Sequence, residues 1–272
     1  MIDKDKVNKI EAIWDNYIKT EKRVLDTKGN ELPNIDESRL KAIVELKSIV
    51  EQFQVGTVNI FEFKTNIDSF NKRNNLWGFT ATKGQMFFNQ LVKYSETQID
   101  KLTKILKECI LKPSNLNNAL EKIDTLENYC LTIFNKAKDK RKAPNPGSVG
   151  YFLSYFWQIQ DHSSWPILYT SLINAYIELE IWEEKSSQKE SYYYFYQLNQ
   201  EIKKHLKDYT KKEISNWDAE HAFWNFKGNP NKPVAKKKEP KIADIEEETI
   251  ITINPSFKLV ISVIWCQLFR RI

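Results

Sequence analysis

Glycine and proline are scarce: 7 and 9 in 272 residues. A chain so poor in turn formers is neither a turn-dense β-sandwich nor a long disordered polymer. Cysteine is rarer still. Cys109, Cys130 and Cys266 are odd in number and far apart, and no CxxC pair occurs, which argues against a zinc site built on thiolates. Cys109 and Cys130 fall on the apolar faces of predicted helices and read as buried free thiols of a reducing compartment. Three histidines in the whole chain leave little to build a metal site from, so no metal and no other cofactor is expected. Long apolar runs are missing too. No window approaches the roughly 20 apolar residues that a spanning helix needs. The opening stretch Met1-Ile2-Asp3-Lys4-Asp5-Lys6 is charged and has no apolar core of a secretory signal. A cytoplasmic location without a membrane partner is the expectation. Sustained period-two alternation and internal repeats are absent as well.

What is present points to a packed core. Hydrophobic residues make up 41% and charged residues 28% of the chain, ordinary values for a globular protein. The 8 Trp, 12 Tyr and 15 Phe are more rings than average, enough for a core with some left for a surface. The net charge of +5 and pI near 8.8 permit nucleic-acid binding without demanding it, so the placement of the cations decides. The length alone allows one large domain or two smaller ones.

Helical periodicity recurs along most of the chain. Val7, Ile10, Trp14, Tyr17 and Ile18 form one stripe at spacings of three and four. Leu40, Ile43, Val44, Val50 and Phe53 form another, after Asn34 and Asp36 as caps. Ser95 with Gln98 reads as a capping box opening a helix whose inner face is Ile99, Leu102, Leu106, Cys109 and Ile110, with Pro113 as its stop. Leu116, Leu120, Ile123, Leu126, Cys130, Ile133, Phe134 and Ala137 mark the clearest helix. Further helices are predicted to begin near Ser148, Pro166, Glu190 and Ser215. The fold expected is all-α, a multi-helix globular bundle over residues 1–226. A flexible linker follows over 227–249, where Pro230, Pro233 and Pro240 accompany the runs Lys236-Lys237-Lys238 and Glu246-Glu247-Glu248. Residues 250–272 are then a short apolar C-terminal segment, either docking back on the domain or beginning a further, missing one.

Five segments invite a chemical reading. In Leu76-Trp77-Gly78-Phe79-Thr80-Ala81-Thr82-Lys83-Gly84-Gln85, Thr82, Lys83 and Gly84 precede a predicted helix start at Gln85. Backbone amides there can hold an anion with help from Lys83, although the GK[ST] ending of a Walker loop is missing. The competing reading is a tight connection pinned by Trp77 and Phe79. Between Lys136 and Lys142, five cations occur in seven residues: Lys136, Lys138, Lys140, Arg141 and Lys142. The Pro146-Gly147 turn, with Ser148 and Gly150, then opens the next helix with amides free to meet phosphates. The alternative for the lysines is to complement the dipole of the helix they end. Asp161 and His162, before Trp165-Pro166, lie close in sequence but lack a visible third group to orient them for acid–base work. Tyr192-Tyr193-Tyr194-Phe195-Tyr196 cannot all face one core from a helix, so some rings belong to a surface. In Trp217-Asp218-Ala219-Glu220-His221-Ala222-Phe223-Trp224 the acids lie two apart and diverge on a helix. No catalytic residue is assigned.

The stretch Pro146-Gly147-Ser148-Val149-Gly150, with Tyr151 to Trp157 and then Trp165-Pro166-Ile167-Leu168-Tyr169-Thr170, resembles the core of helix-hairpin-helix DNA glycosylase-like folds. It departs in two places. Tyr169-Thr170 stands where the glycosylase pattern has its catalytic Asp, and the hairpin glycines are spaced GxxG rather than GxG. The resemblance thus implies a DNA-binding fold without the excision chemistry. The same pieces, with Leu76-Trp77-Gly78-Phe79, Gly84-Gln85-Met86-Phe87-Phe88-Asn89 and the Trp217–Trp224 stretch, resemble the N-terminal helical region of bacterial restriction and phage-defence proteins. McrB-type methylation-dependent systems and related nuclease fusions are among them. The likeness runs over roughly residues 35–226 and implies a nuclease or NTPase domain, or partner, alongside. The function expected is a non-catalytic DNA-binding or sensing module of such a system. A helical protein-interaction scaffold, or a regulatory fragment of an enzyme whose catalytic domain lies elsewhere, is the alternative.

Overall fold

Residues 149–160 read Val-Gly-Tyr-Phe-Leu-Ser-Tyr-Phe-Trp-Gln-Ile-Gln, apolar or aromatic on every side. A helix of that composition belongs inside a bundle. In the computed structural model, which describes residues 2–26 and 29–228, it lies there: every residue from Val149 to Ile159 is buried. Among the described residues there are ten α-helices: α1 (Lys4–Lys19), α2 (Ile35–Val55), α3 (Ile60–Arg73), α4 (Phe87–Tyr94), α5 (Ile99–Ile110), α6 (Leu116–Lys136), α7 (Val149–Gln160), α8 (Thr170–Glu178), α9 (Gln188–Thr210) and α10 (Asn216–Phe223). α2, α5, α6 and α9 pack directly on α7. Among the described residues no β-strand occurs; a single isolated bridge joins Leu25 and Glu31. The fold is an all-α globular bundle.

The rings of α7 pack outward onto its neighbours while their polar ends are satisfied, as buried Tyr and Trp require. Asn71 of α3 donates to the Tyr155 hydroxyl at 2.9 Å, and Trp157 donates to the Cys109 carbonyl at 2.9 Å. Phe79 lies against Tyr155 with centroids 4.1 Å apart, and Phe53 stacks on Phe63 at 4.3 Å. Gly150 lets Leu168 lie against the start of α7. A Cβ there would sit 2.7 Å from Leu168 Cδ2.

Side-chain caps start most of the helices that frame the bundle. Asp3, Asn115 and Ser187 each accept a first-turn amide of α1, α6 and α9. Full capping boxes open α3 (Asn59 with Glu62) and α10 (Ser215 with Asp218).

Four local expectations need correcting. Asn34 is left-handed (φ 52°) and makes no capping hydrogen bond, and Asp36 lies inside the first turn of α2. Leu40 and Val44 are 50% and 72% exposed, because α2 turns Arg39 inward instead, to meet an acid on α10. Ser95 ends α4 and accepts a hydrogen bond from Tyr129 Oη at 2.9 Å; a 3₁₀ turn, Glu96–Gln98, separates it from α5. Pro166 does not begin a helix. Residues 165–169 run without helical structure because side chains take up their backbone groups: Tyr192 Oη donates to the Pro166 carbonyl, and Ser154 Oγ accepts from the Leu168 amide. Helix α8 starts at Thr170. The expected linker 227–249 and segment 250–272 lie outside the described residues, apart from Lys227 and Gly228, which close a π-helical turn over Trp224–Gly228.

Candidate nucleic-acid interface

Helix α6 delivers the basic loop. The Ala137 amide bonds back to the Ile133 and Phe134 carbonyls, and the chain leaves the helix carrying Lys136 and Lys138 into solvent. A 3₁₀ turn over Lys140–Lys142 follows, opened by Asp139, which accepts the Arg141 amide at 3.1 Å. Lys136, Lys138, Lys140, Arg141 and Lys142 line this stretch, and Asp139 is the one carboxylate among them. Lys140 folds back over the end of α6. Its ammonium donates to the Phe134 and Asn135 carbonyls and lies 4.9 Å from the Phe134 ring centroid. That is the dipole-complementing role of a C-terminal lysine. Arg141 and Lys142 share Asp139 at 3.3 and 3.8 Å. Pairs this exposed are worth about 0–1 kcal/mol, so both cations remain free to exchange Asp139 for a phosphate. Lys136 and Lys138 carry no ion pair or hydrogen bond to any described residue.

The turn that follows does not present free amides, contrary to expectation. Asn145 Oδ1 accepts the Gly147 amide at 2.9 Å, and the Ser148 amide goes to the Asn145 carbonyl. Gln188 Oε1 accepts from Gly150 at 3.4 Å. Ser148 and Gly150 are buried. The hairpin's donors are consumed in capping and in docking α9, which leaves phosphate contact to the side chains of the loop before it.

Thr82, Lys83 and Gly84 open a π-helical turn, Thr82–Met86, that runs into α4. Gly84 donates to the Ala81 carbonyl and Gln85 to the Phe79 carbonyl, at 3.1 and 2.7 Å. A Cβ on Gly84 would lie 2.1 Å from the Phe79 oxygen. The glycine therefore serves a tight connection whose anchors, Trp77 and Phe79, are buried. Lys83 stands beside it, half-buried. Burial holds its amine below the usual lysine range, with no acid among its described neighbours to offset this. Helix α4 then reaches the basic loop: Gln90 Nε2 donates to the Arg141 carbonyl at 3.3 Å. On its other flank Lys64 of α3 donates to Asn89 Oδ1 at 3.2 Å. Lys64 and Lys93 leave only a faint mark in the sequence, a lysine on each of two helices that the fold alone brings together.

The remaining polar motifs are tied to structural partners. The Trp217–Trp224 stretch is a clasp. Asp218 pairs with Lys22 at 2.8 Å, Glu220 with Arg39 at 2.7 Å, and His221 with Asp36 at 2.8 Å; Trp224 Nε1 donates to the Leu25 carbonyl. Trp217 and Trp77 both donate to Gln158 Oε1. His221 and Tyr17 line a cleft of about 400 Å³ between α1, the segment after it and the start of α2. Asp161 accepts from Ser163 and Ser164. Burial pushes its carboxyl up, but those hydrogen bonds and Lys112 hold it below the usual range. His162 faces elsewhere, stacked on Trp217 at 4.5 Å. Of the aromatic run, Tyr192 and Phe195 are buried, Tyr194 donates to the Ile181 carbonyl, and Tyr193 is exposed. Cys109 and Cys130 are buried, and burial pushes the Cys109 thiol up to about 12. Cys266 lies outside the described residues.

Among the described residues no three His, Cys, Asp or Glu side chains converge as metal ligands, and no helix is long and apolar enough to cross a membrane. Compared with protein-family models, with curated proteins and with solved structures, the chain matches none.

Proposed function

We propose that the chain is a non-catalytic module that binds or senses duplex DNA, in the cytoplasm, as part of a bacterial restriction or antiphage system. The observation that carries the DNA-binding part is the loop after α6, where five cations surround one carboxylate. Cations held on short, rigid turns suit a regularly charged phosphate backbone. The restriction setting, and the nuclease or NTPase domain or partner it entails, rest on the resemblance of the aromatic motifs. The non-catalytic part rests on where the acids go. Asp161, Asp218 and Glu220 are each tied to a separate structural partner: Ser163, Lys22 and Arg39.

An electrophoretic shift with duplex DNA at low salt tests the reading. The wild-type chain retards the duplex; replacing Lys138, Lys140, Arg141 and Lys142 with Gln weakens retardation similarly on unrelated sequences, because phosphate contacts carry no base information. Absence of any shift by the wild type rejects it.

A further inference from the structure

We infer that the phosphate-binding surface is not confined to the loop after α6 but continues across the outer face of α4 onto α3, through Lys83, Lys93 and Lys64, and reads no base sequence. The inference rests on the DNA-binding reading above and extends it to a second element.

The continuity is built from hydrogen bonds. The Gln90–Arg141 bond fixes α4 against the basic loop, and the Lys64–Asn89 bond fixes α3 against α4. Lys93 follows Asn89 and Gln90 by four and three residues, so it shares their helix face, and it is exposed. Met86, 44% exposed, and Lys83 continue that face toward the helix start. The strip thus runs from Lys83 in the π-helical turn along α4 to Lys93, beside the loop at Gln90.

Neither the π-helical turn Thr82–Met86 nor α4 carries an acid, and Glu96 follows Lys93 by three residues. Acids on α3 that would neutralise the strip are engaged elsewhere: Glu62 closes the capping box with Asn59, and Asp68 pairs with Lys72. Lys83 has no counter-charge among the described residues and is partly desolvated, a state that a phosphate oxygen would relieve. Each side-chain amide on the strip already has one of its two polar ends engaged. Asn89 Oδ1 accepts from both Lys64 and Gln85, and Gln90 Nε2 donates to Arg141. What the strip offers is therefore cations, which bind the backbone, rather than the paired donor and acceptor that would read a base edge.

The test measures duplex affinity against salt for the full chain and three variants: Lys64→Gln with Lys93→Gln, the same pair with Lys83→Gln, and the fourfold loop variant. Each cation withdrawn from a phosphate flattens the plot of log affinity against log salt by about 0.9. The double variant leaves half-buried Lys83 in place and so guards against misfolding of the triple one; circular dichroism checks that both keep α3 and α4, which Lys64 links through Asn89. The expected result is a slope shallower by about two in the double variant and about three in the triple, equally on unrelated sequences. Wild-type slope in both strip variants, with weakened binding by the loop variant, confines the surface to the loop and overturns the inference alone. A loss on one sequence and not another also overturns it. No binding by the wild type at low salt removes the DNA-binding reading itself and the inference with it.

Discussion

Arg39 and Glu220 form a salt bridge of 2.7 Å in which both side chains are more than nine-tenths buried. It joins α2 to α10 across the bundle. The Arg39 guanidinium lies 5.5 Å from the ring centroids of both Trp77 and Trp217 and also donates to the Leu76 carbonyl. Burial works against its charge most strongly of any single cause, but Glu220, Tyr169 and Asp36 together outweigh it and raise its basicity. His221, one residue on, meets Asp36, three residues before Arg39, so two adjacent residues of α10 grip one turn of α2 with opposite polarity.

Removing one member of that pair strands the other in the core. Glu220→Ala is expected to lower stability by about 3–5 kcal/mol, whereas Arg39→Met with Glu220→Leu loses much less, since a packed apolar pair replaces both charges. Urea denaturation at neutral pH measures it. A loss below about 1 kcal/mol in Glu220→Ala would mean that the pair is not desolvated as described.

Gly84→Ala forces a methyl to within 2.1 Å of the Phe79 carbonyl oxygen, a backbone atom held by buried Phe79. A loss of about 2–3 kcal/mol is expected. Gly147→Ala is the control. Its Cβ meets Asn145 Oδ1, a side-chain atom, at 3.2 Å, and the expected loss is below about 1 kcal/mol. Equal stability of the two variants would contradict the tight-connection account of Gly84.

Asp218 accepts from Lys22 and from the Ser215 hydroxyl and amide. Desolvation raises its carboxyl, and these partners more than reverse that, leaving it below the ordinary value of 3.8. A carboxyl lowered on folding adds stability above its unfolded pKa and surrenders it as the pH falls through the folded one. Asp218→Asn should therefore cost about 1 kcal/mol near pH 6, and the gap to wild type should close as the pH drops below about 4. Chemical denaturation at both pH values reads the difference. A gap that widens in acid has the wrong sign for this account.

The all-α bundle is legible in the sequence because the periodicity of α1, α5 and α6 follows from burial of one face, a local property. For α2 the same periodicity points to the wrong face at Leu40 and Val44. Nothing local announces that Arg39 turns inward, since its partner lies 181 residues away. Pro166 and Ser95 mislead for a related reason. Distant hydroxyls, those of Tyr192 and Tyr129, settle their surroundings. The basic loop is visible because its cations are contiguous in the chain. Its extension over Lys64 and Lys93 is not, because it exists only where α3, α4 and the loop meet.

The most direct test of DNA binding is the salt dependence of duplex affinity, followed by fluorescence anisotropy on a short mixed-sequence duplex. The wild-type chain should bind at low salt with affinity falling linearly in log salt. Replacing Lys138, Lys140, Arg141 and Lys142 with Gln should flatten that slope by about three, at about 0.9 each for Lys138, Arg141 and Lys142, since Lys140 is held on the end of α6. Parallel slopes for the two proteins, or no binding by the wild type, would contradict the proposed interface.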